Sequence, residues 1–384
     1  MRPAIVVVAY NRPNSLRRLL SSIAKANYRS NDIPLIISID KADIEQEIVA
    51  ISESFDWEHG PKTIRTFDCR QGLRKHVIQC GDLSNEYGAV IILEDDLFVS
   101  SNYYSFVEDA LCYYEDSSEI TGISLYSHEW NGFGSAAFQP IADKYDTYLG
   151  QFSISWGQCW TQKWWNDFKK WYLVHEGSLA DNDDIPDAIN HWSDHSWGKY
   201  YANYIVEENK FYVMPRISLS TNFTEIGQHA KKSSADYQVR IMNSPDVVYR
   251  FAPVDKAMKY DIFFENMALN QFFDSSIASE GITVDLYGIG RKNQKNRYIL
   301  SSECLPYKAV KGFALQLRPM DANVVYQLNG NDIHLYDTHA PCNREKSSRW
   351  QLLRYEFREV SNRSVLEYAF FVFRDVIKRK LLHR

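Results

Sequence analysis

Short apolar runs alternate with amphipathic segments along the first third of the chain. The apolar runs predict β-strands at Ala4–Ala9, Leu35–Ile39, Lys62–Phe67 and Val90–Leu93. The segments between them place apolar residues three and four positions apart, which predicts helices at Ser15–Ala26, Glu45–Phe55 and Gly72–Leu83. Asn14 is the predicted N-cap of the first helix. Since strands that alternate with helices form parallel sheets, we predict a doubly wound α/β domain here.

The pattern after residue 244 is weaker and changes in character. We predict a helix at Asp261–Asp274 and short strands at Ile282–Ile289, Gly312–Leu317, Val324–Leu328 and Asp332–Tyr336, with Asn329-Gly330 as a hairpin turn between the last two. The segment Ser364–Arg384 is a predicted basic amphipathic helix. These patterns divide the chain into an α/β domain at residues 1–243, a small α+β extension at 244–345 and a helical tail at 346–384.

Composition narrows the class of protein. The net charge of −6 argues against a nucleic-acid-binding function. The six cysteines have no zinc-site spacing and are expected to be reduced thiols of a cytosolic protein. The first residues lack the apolar region of a signal peptide, and no apolar run approaches the length of a membrane span. We therefore expect a cytoplasmic location.

Three consecutive acids, Glu94-Asp95-Asp96, follow the strand predicted at Val90–Leu93. Open α/β sheets bind ligands at the carboxyl ends of their strands. Like charges so close together raise one another's pKa, so keeping all three acids ionised costs free energy. A bound divalent cation removes that cost. Carboxylate oxygens suit Mn²⁺ or Mg²⁺, so the triplet predicts a metal site that would carry a diphosphate. A solvated acidic loop is the alternative.

Polar residues also follow the three other predicted strands. Arg12 follows the first and Asp40 the second, while Arg74, Lys75 and His76 come after the third. The repetition predicts a nucleotide-binding cleft at this edge of the sheet. The alternatives are surface capping and ion pairing for Arg12 and Asp40, and an exposed helix face for residues 74–76.

The motifs at these strand ends resemble those of GT-A glycosyltransferases. The stretches that carry the resemblance are Ala9-Tyr10-Asn11-Arg12-Pro13, Ser38-Ile39-Asp40, Gly72-Leu73-Arg74 and Ile92-Leu93-Glu94-Asp95-Asp96-Leu97. They are most similar to the N-acetylglucosaminyltransferase I type, in which Glu-Asp-Asp is a variant of the DxD motif. The similarity covers about the first 230 residues and is weaker at Ser155-Trp156-Gly157 and around Trp192–Trp197.

The resemblance implies a role for each acid of the triplet. Asp96 would bind the metal, Asp95 would bind the ribose, and Glu94 would contact the donor sugar. The other implied donor-binding residues are Arg12, Asp40, Arg74, Lys75 and His76, with the register among the last three left open.

A mobile loop would close over the donor at residues 222–229, with His229 as a second ligand of the metal or the diphosphate. A loop histidine without a role is the alternative.

The middle of the chain is expected to hold the acceptor. Seven of the ten tryptophans lie there: Trp156, Trp160, Trp164, Trp165, Trp171, Trp192 and Trp197. Aromatic rings pack on the CH-rich faces of sugars, although they also fill hydrophobic cores. An inverting transfer needs a base, and the resemblance favours Asp194, one position further from the following tryptophan than in the family. The other acids considered are Asp181, Asp183, Asp184 and Asp187.

These features predict an inverting, metal-dependent GT-A glycosyltransferase. Residues 1–110 would bind a UDP-sugar, and residues 111–243 would bind a glycan or lipid-linked glycan. The product would be a bacterial surface polysaccharide, and the sugar a hexose or N-acetylhexosamine. The basic tail could contact a membrane as a peripheral element, or could pack on its own domain or in a homodimer. The alternatives are a sugar-phosphate nucleotidyltransferase and a non-catalytic glycan-binding protein.

Overall fold

The structure is a computed structural model that describes residues 2–152, 155–177, 179–223, 237–244, 246–343 and 350–382, with side chains up to residue 378. The chain forms two compact units. The first comprises Met1–Phe133, Phe138–Ala268 and Arg291–Asn293, and the second comprises Gly134–Ala137, Leu269–Gly290 and Gln294–Arg384. The domain boundaries at residues 243 and 345 stay predictions.

The strands of the described residues are numbered in chain order. They are β1 (Ala4–Ala9), β2 (Leu35–Ile39), β3 (Lys62–Arg65), β4 (Ala89–Glu94), β5 (Leu97–Val99), β6 (Ile120–Ser124), β7 (Trp130–Asn131), β8 (Ala136–Ala137), β9 (Thr147–Gly150), β10 (Gln158–Thr161), β11 (Phe211–Pro215), β12 (Ser220–Asn222), β13 (Lys259–Tyr260), β14 (Ile282–Asp285), β15 (Tyr298–Ser301), β16 (Tyr307–Phe313) and β17 (Ile333–Pro341).

The helices are numbered in the same way. They are α1 (Pro13–Ala24), α2 (Glu45–Ser54), α3 (Leu73–Gly81), α4 (Ser84–Tyr87), α5 (Tyr103–Tyr114), α6 (Gln162–His175), α7 (Asp187–Asn190), α8 (Trp197–Glu207), α9 (Ser275–Ala278), α10 (Ala322–Val325), α11 (Trp350–Glu356) and α12 (Asn362–Leu382), with a 3₁₀-helix at Leu269–Phe272.

A nine-stranded, mostly parallel sheet forms the core of the first unit. Its order is β13-β9-β11-β6-β10-β4-β1-β2-β3, and β4, β1, β2 and β3 run parallel to one another. In register, Val6 of β1 lies between Ile36 of β2 and Ile92 of β4. Every residue of β1 is buried, as expected for a strand covered on both faces. The predicted α/β fold class, a mostly parallel sheet with flanking helices and a smaller C-terminal part, is confirmed.

The first helix begins one residue before the predicted N-cap. Arg12 is the capping residue of α1 and Pro13 occupies the first turn, so the prediction that Asn14 is the N-cap is wrong. Proline suits this position because its fixed φ matches the helix and its missing N–H would have no partner there. The helix buries Leu16, Leu19 and other apolar residues of one face against the sheet.

The acidic triplet stands where β4 ends, and the chain then turns into β5. The short strand β5 pairs with β12 in antiparallel fashion, and the Phe223 N–H donates to the carbonyl of Asp96 at 2.9 Å. Because β1, β2 and β4 are parallel neighbours, their carboxyl ends meet at one edge of the sheet. This arrangement brings together the polar residues that follow each strand.

The second unit contains a four-stranded sheet in the order β14-β15-β17-β16. The predicted strand at Val324–Leu328 is wrong, because the chain forms α10 there and β17 pairs with β16 instead. The Asn323 side chain accepts the N–H groups of Gln316 and Leu317 at 2.8 Å, which holds this segment in a turn. The predicted hairpin around Asn329-Gly330 is therefore also wrong.

The predicted helix at Asp261–Asp274 is replaced by turns and the short 3₁₀-helix. The Asp261 carboxylate accepts the N–H groups of Phe263 and Glu265, which offers the backbone an alternative to helical hydrogen bonds. The segment 364–384 was predicted to be helical, and α12 covers it up to Leu382. Among the described residues, no helix combines the length and apolar character that a membrane crossing requires.

Candidate active site

A cavity of about 630 Å³ opens at the edge of the sheet where β1, β2 and β4 end. Its polar and charged lining residues come from the ends of β1, β2 and β4 and from the segment after β3: Tyr10, Asn11, Arg12, Asp40, Arg70, Gly72, His76, Glu94, Asp95 and Asp96. Its aromatic lining residues come from later segments, among them His128, Trp130, Phe133, Phe152, Trp156, Trp192, Trp197, Tyr237 and Phe264. We call these two parts of the lining the charged compartment and the aromatic compartment.

Arg12 forms ion pairs with two acids of the triplet. Its Nη1 lies 2.7 Å from Asp96 Oδ2, and its Nη2 pairs with Asp95 Oδ1. The Tyr10 N–H donates to the second oxygen of Asp95 at 3.3 Å. The Asp95 side chain is almost fully buried, whereas the Arg12 side chain is 24% exposed. The guanidinium thus neutralises part of the charge that the triplet brings into the cavity.

Burial leaves the triplet short of positive charge. Burial and the neighbouring Asp96 raise the pKa of Glu94 to about 8. Burial also raises the pKa of Asp95 to about 6, although Arg12 opposes that shift. One guanidinium is therefore insufficient to keep all three carboxyl groups ionised at neutral pH, and an additional cation would be favoured here.

Asp96 has the oxygen best suited to bind that cation. Its Oδ1 is buried and has no hydrogen-bond partner among the described residues, whereas both oxygens of Asp95 are already engaged. An orphaned carboxylate oxygen at the cavity wall fits a hard divalent ion such as Mn²⁺ or Mg²⁺. Among the described residues, no group of three or more His, Cys, Asp or Glu side chains is arranged to hold a metal.

Asp40 uses its carboxylate to order the loop that follows β3. It accepts the N–H of Gln71 at 2.7 Å and the N–H of Gly72 at 2.9 Å. Gly72 precedes α3 with φ of 75°, a conformation that favours glycine. Asp40 thus lines the cavity while it holds the start of α3 in place.

The three consecutive polar residues of α3 have different surroundings. Only His76 lines the cavity, and its Nε2 lies 2.8 Å from the buried Ser38 Oγ. Burial lowers the pKa of His76 to about 4, so its ring is neutral at pH 7. Arg74 donates to the hydroxyl of Tyr200 at 2.5 Å, and Lys75 is exposed. The structure therefore brings His76, but neither Arg74 nor Lys75, to the cavity wall.

The tryptophans of the middle segment divide into two groups. Trp156, Trp192 and Trp197 line the cavity, together with Trp130 from outside the predicted cluster. The other four, Trp160, Trp164, Trp165 and Trp171, are buried outside the cavity lining. Trp160, for example, donates to the hydroxyl of Tyr212 at 2.7 Å. The core-filling alternative therefore holds for four of the seven tryptophans, and acceptor binding by the other three stays a prediction.

Aromatic rings pack closely on this side of the cavity. Phe152 stacks on Phe264 with ring centroids 4.2 Å apart, and Trp156 lies 4.8 Å from Tyr237. His128 contacts four aromatic rings, and burial lowers its pKa to about 3. This wall offers apolar faces and neutral side chains, as a sugar ring or an apolar aglycone would require.

Asp194 lies beside the cavity and is paired with a lysine. Its Oδ1 accepts a hydrogen bond from Lys199 Nζ at 2.8 Å, and the Asp194 side chain is 68% exposed. The bond from Lys199 lowers the pKa of Asp194 below its usual range. The neighbours Ser193, His195 and Ser196 line the cavity, whereas Asp194 itself does not.

The other acids considered as a base are also outside the cavity lining. Asp187 pairs with Lys292 at 2.6 Å, and Asp184 accepts a hydrogen bond from Asn293 at 2.8 Å. The loop predicted to close over the donor spans residues 222–229, and all of it after Phe223, including His229, lies outside the described residues.

Several lining residues were not singled out from the sequence. Arg70 places its guanidinium 5.2 Å from the centre of the Tyr10 ring at the charged end of the cavity. Both residues follow strands, so their positions alone could have indicated them. Tyr237 and Phe264 come from segments whose local pattern carries no signal of a binding site.

No family model matches the chain. The solved structures that share limited similarity with it include the following three. The S. aureus TarS 1–349 structure in complex with UDP-GlcNAc is 11% identical, with a TM-score of 0.37 and coverage of 60% of each chain. The mannosyltransferase PcManGT from Pyrobaculum calidifontis, in complex with GDP-Man and Mn²⁺, is 12% identical, with a TM-score of 0.33 and coverage of 56% of this chain and 55% of that one.

A cytidylyltransferase from Leptospira borgpetersenii is also 12% identical, with a TM-score of 0.28 and coverage of 44% of this chain and 64% of that one. In all three comparisons the match spans less than two thirds of the solved chain. Similarity at this level does not define the function of the chain.

Proposed function

We propose that the protein is a GT-A glycosyltransferase that transfers a sugar from a UDP-sugar to a glycan hydroxyl. The observation that carries this proposal is the junction, in one cavity, of an acid triplet at a strand end with an aromatic wall. A nucleotide diphosphate needs positive charge and ordered polar groups, while a sugar acceptor needs ring faces on which to pack. The Glu-Asp-Asp sequence, the motif of the N-acetylglucosaminyltransferase I type, supports the same reading.

The charged compartment would bind the donor. Asp96 would hold Mn²⁺ or Mg²⁺ through the oxygen that has no partner, and the bound ion would supply positive charge beside the diphosphate leaving group. Asp95 would accept from the ribose and Glu94 would contact the donor sugar. Arg12 would act together with the bound ion to keep the acids ionised, and would add positive charge near the diphosphate. Asp40 and His76 would border the nucleoside.

The aromatic compartment would bind the acceptor, with its ring faces on Trp156 and Trp192. We propose Asp194 as the base that takes the proton of the attacking hydroxyl in a single displacement. Its hydrogen bond from Lys199 favours the ionised carboxylate. To reach the acceptor, the carboxylate must turn toward the cavity. The acceptor class we favour is a glycan or lipid-linked glycan of a bacterial surface polysaccharide.

Release of UDP tests this function directly. The full chain is incubated with UDP-glucose, UDP-galactose, UDP-GlcNAc and UDP-GalNAc in turn, with Mn²⁺, Mg²⁺ or a chelator, and free UDP is measured. We expect metal-dependent release from at least one donor. Release of pyrophosphate from a nucleoside triphosphate and a sugar phosphate would instead indicate a nucleotidyltransferase. Glycan binding without any turnover would indicate a binding protein.

Asp96→Asn tests the metal ligand. We expect it to abolish the part of the UDP affinity that depends on Mn²⁺, because the amide removes the charge that a hard cation requires. Isothermal titration of UDP with and without Mn²⁺ measures this, with the exposed Asp246→Asn as the matched control. If Asp96→Asn retains the Mn²⁺-dependent affinity, the metal assignment is wrong.

A further inference from the structure

The helix α12 exposes an unusual number of large apolar side chains. Leu366 is 70% exposed, Phe370 63%, Phe373 64% and Ile377 42%. Tyr368, Val372 and Val376 are also exposed. Large exposed apolar patches of this kind mark surfaces that bind another protein or a membrane.

Most of these side chains fall on one face of the helix. Leu366, Phe370, Phe373 and Ile377 are spaced by four, three and four residues, so they form a single stripe. Val365, Ala369, Val372 and Val376 form a second stripe beside it, and the two together cover about half of the helix circumference at 3.6 residues per turn. Glu367, Arg374 and Lys378 lie on the opposite half. Phe371 is an aromatic residue on that polar half, where the Arg374 guanidinium lies 5.0 Å from its ring.

The charge of this segment differs in sign from that of the chain. Residues 362–384 contain six Lys or Arg and only two acids, which gives +4 within a chain whose net charge is −6. The helix is about 30 Å long, from its 21 residues. It is therefore long, basic and half apolar, but it lacks the apolar character needed to cross a membrane.

We propose that α12 lies flat on an anionic lipid surface, with the stripes of Leu366 and Val365 in the boundary between headgroups and acyl chains. A wide apolar face next to a basic polar face, with low overall hydrophobicity, is the pattern of interfacial helices. The basic residues attract anionic headgroups, and the aromatic rings suit the interface between polar and apolar layers. Pairing of α12 with its counterpart in a second copy would bring two segments of +4 together, which repulsion opposes. This inference is independent of the transferase proposal.

The experiment measures binding of the full chain to vesicles, without any activity assay. Vesicles of phosphatidylglycerol mixed with phosphatidylcholine are compared with vesicles of phosphatidylcholine alone, in a flotation assay at low and high NaCl. We expect binding to the anionic vesicles only, and its loss at high salt because the attraction is screened.

Two variants with the same chemistry locate the binding face. Phe370→Asp should weaken binding roughly tenfold or more, since it removes an aromatic side chain that the lipid would bury. Phe371→Asp introduces the same residue on the polar face and should change binding less than threefold. Both sites are exposed, so thermal unfolding should show that the variants remain folded.

Three results would overturn the proposal. The first is that the full-length protein does not bind anionic vesicles at low salt. The second is that the variants on the two faces weaken binding equally. The third is a dimer in light scattering that the variant on the apolar face dissociates while vesicle binding is unchanged. The last result would assign the surface to a second copy of the chain.

Discussion

Arg12 is the residue on which the charged compartment depends most. It is the partner of both Asp95 and Asp96, 83 and 84 residues further along the chain. Its position at the end of β1, just before the first turn of α1, leaves its side chain beside the carboxyl end of β4. A local feature of the sequence thus becomes the counter-ion of a distant motif.

Arg12→Gln should lower the free energy of unfolding by about 3 kcal/mol at pH 7, the usual cost of removing one partner of a buried ion pair. Arg29→Gln is the matched control, because Arg29 pairs with Asp109 on the surface, where its side chain is 54% exposed. Exposed pairs contribute at most about 1 kcal/mol. Urea denaturation measures both variants. Equal losses would show that the Arg12 pairs do not stabilise the fold.

Substitution of a single residue also tests which side chain is the base. Asp194→Asn should leave the affinity for the UDP-sugar within a few-fold and reduce turnover by roughly 10²–10⁴, the usual contribution of a positioned base. Because Lys199 lowers the pKa of Asp194, turnover of the wild type should persist well into the acidic range. The measurement is the dependence of kcat/KM on pH.

His195 provides the contrasting outcome. It lines the cavity next to Asp194. If His195→Gln loses turnover while Asp194→Asn keeps it, the base is His195.

At the scale of elements, a buried histidine of α3 forms a hydrogen bond with β2. His76 reaches Ser38 on the strand, while Asp40 at the end of the same strand holds the loop before the helix. The contact positions the start of α3 against the strand end that borders the cavity. The contribution of this contact to stability should depend on pH, because burial disfavours the charged form of the imidazole.

The pKa of His76 is about 4 in the folded protein and about 6.5 in the unfolded chain. The unfolded state therefore binds a proton first as the pH falls, so stability decreases from pH 6.5 toward pH 4. The loss should approach about 2–3 kcal/mol at pH 4. His76→Gln should remove this part of the pH dependence in thermal unfolding, whereas the exposed His191→Gln should not. A wild-type profile that matches that of His76→Gln would contradict the assignment.

At the scale of the whole molecule, the order of the strands places the acids and the aromatic wall around one cavity. Antiparallel β10 lies between β4 and β6, so residues 155–156 enter the cavity close to the acids on β4. The wall then takes residues from segments as far apart in the chain as His128 and Phe264.

The proposed single displacement predicts the stereochemistry of transfer. A single displacement by the acceptor hydroxyl should convert an α-linked UDP-sugar into a β-linked product. A double displacement would instead retain the configuration, because a carboxylate would attack the donor sugar before the acceptor does. Proton NMR of the product reports the anomeric configuration. A product with retained configuration would exclude the proposed mechanism.

The local pattern of the sequence was sufficient for the elements that build the charged compartment. The strands β1, β2 and β4 are continuous apolar runs, and such runs predict buried parallel strands whatever their neighbours are. The position of the acids after β4 follows from the same pattern. Failures occurred where side chains compete with regular structure, as at Asp261 and Asn323, because those hydrogen bonds depend on the conformation of the loop itself.

By itself, the sequence determined the α/β class, the strand ends and the polar residues that follow them, because these depend on short-range hydrophobic periodicity. Only the tertiary structure decided which of those residues share a cavity. In the folded chain Arg74 donates to Tyr200 and Asp194 pairs with Lys199. Some tryptophans line the cavity, whereas others are buried in the core. A side chain's partner is set by the packing of segments that are distant in the chain, and the identity of the residue does not specify that packing.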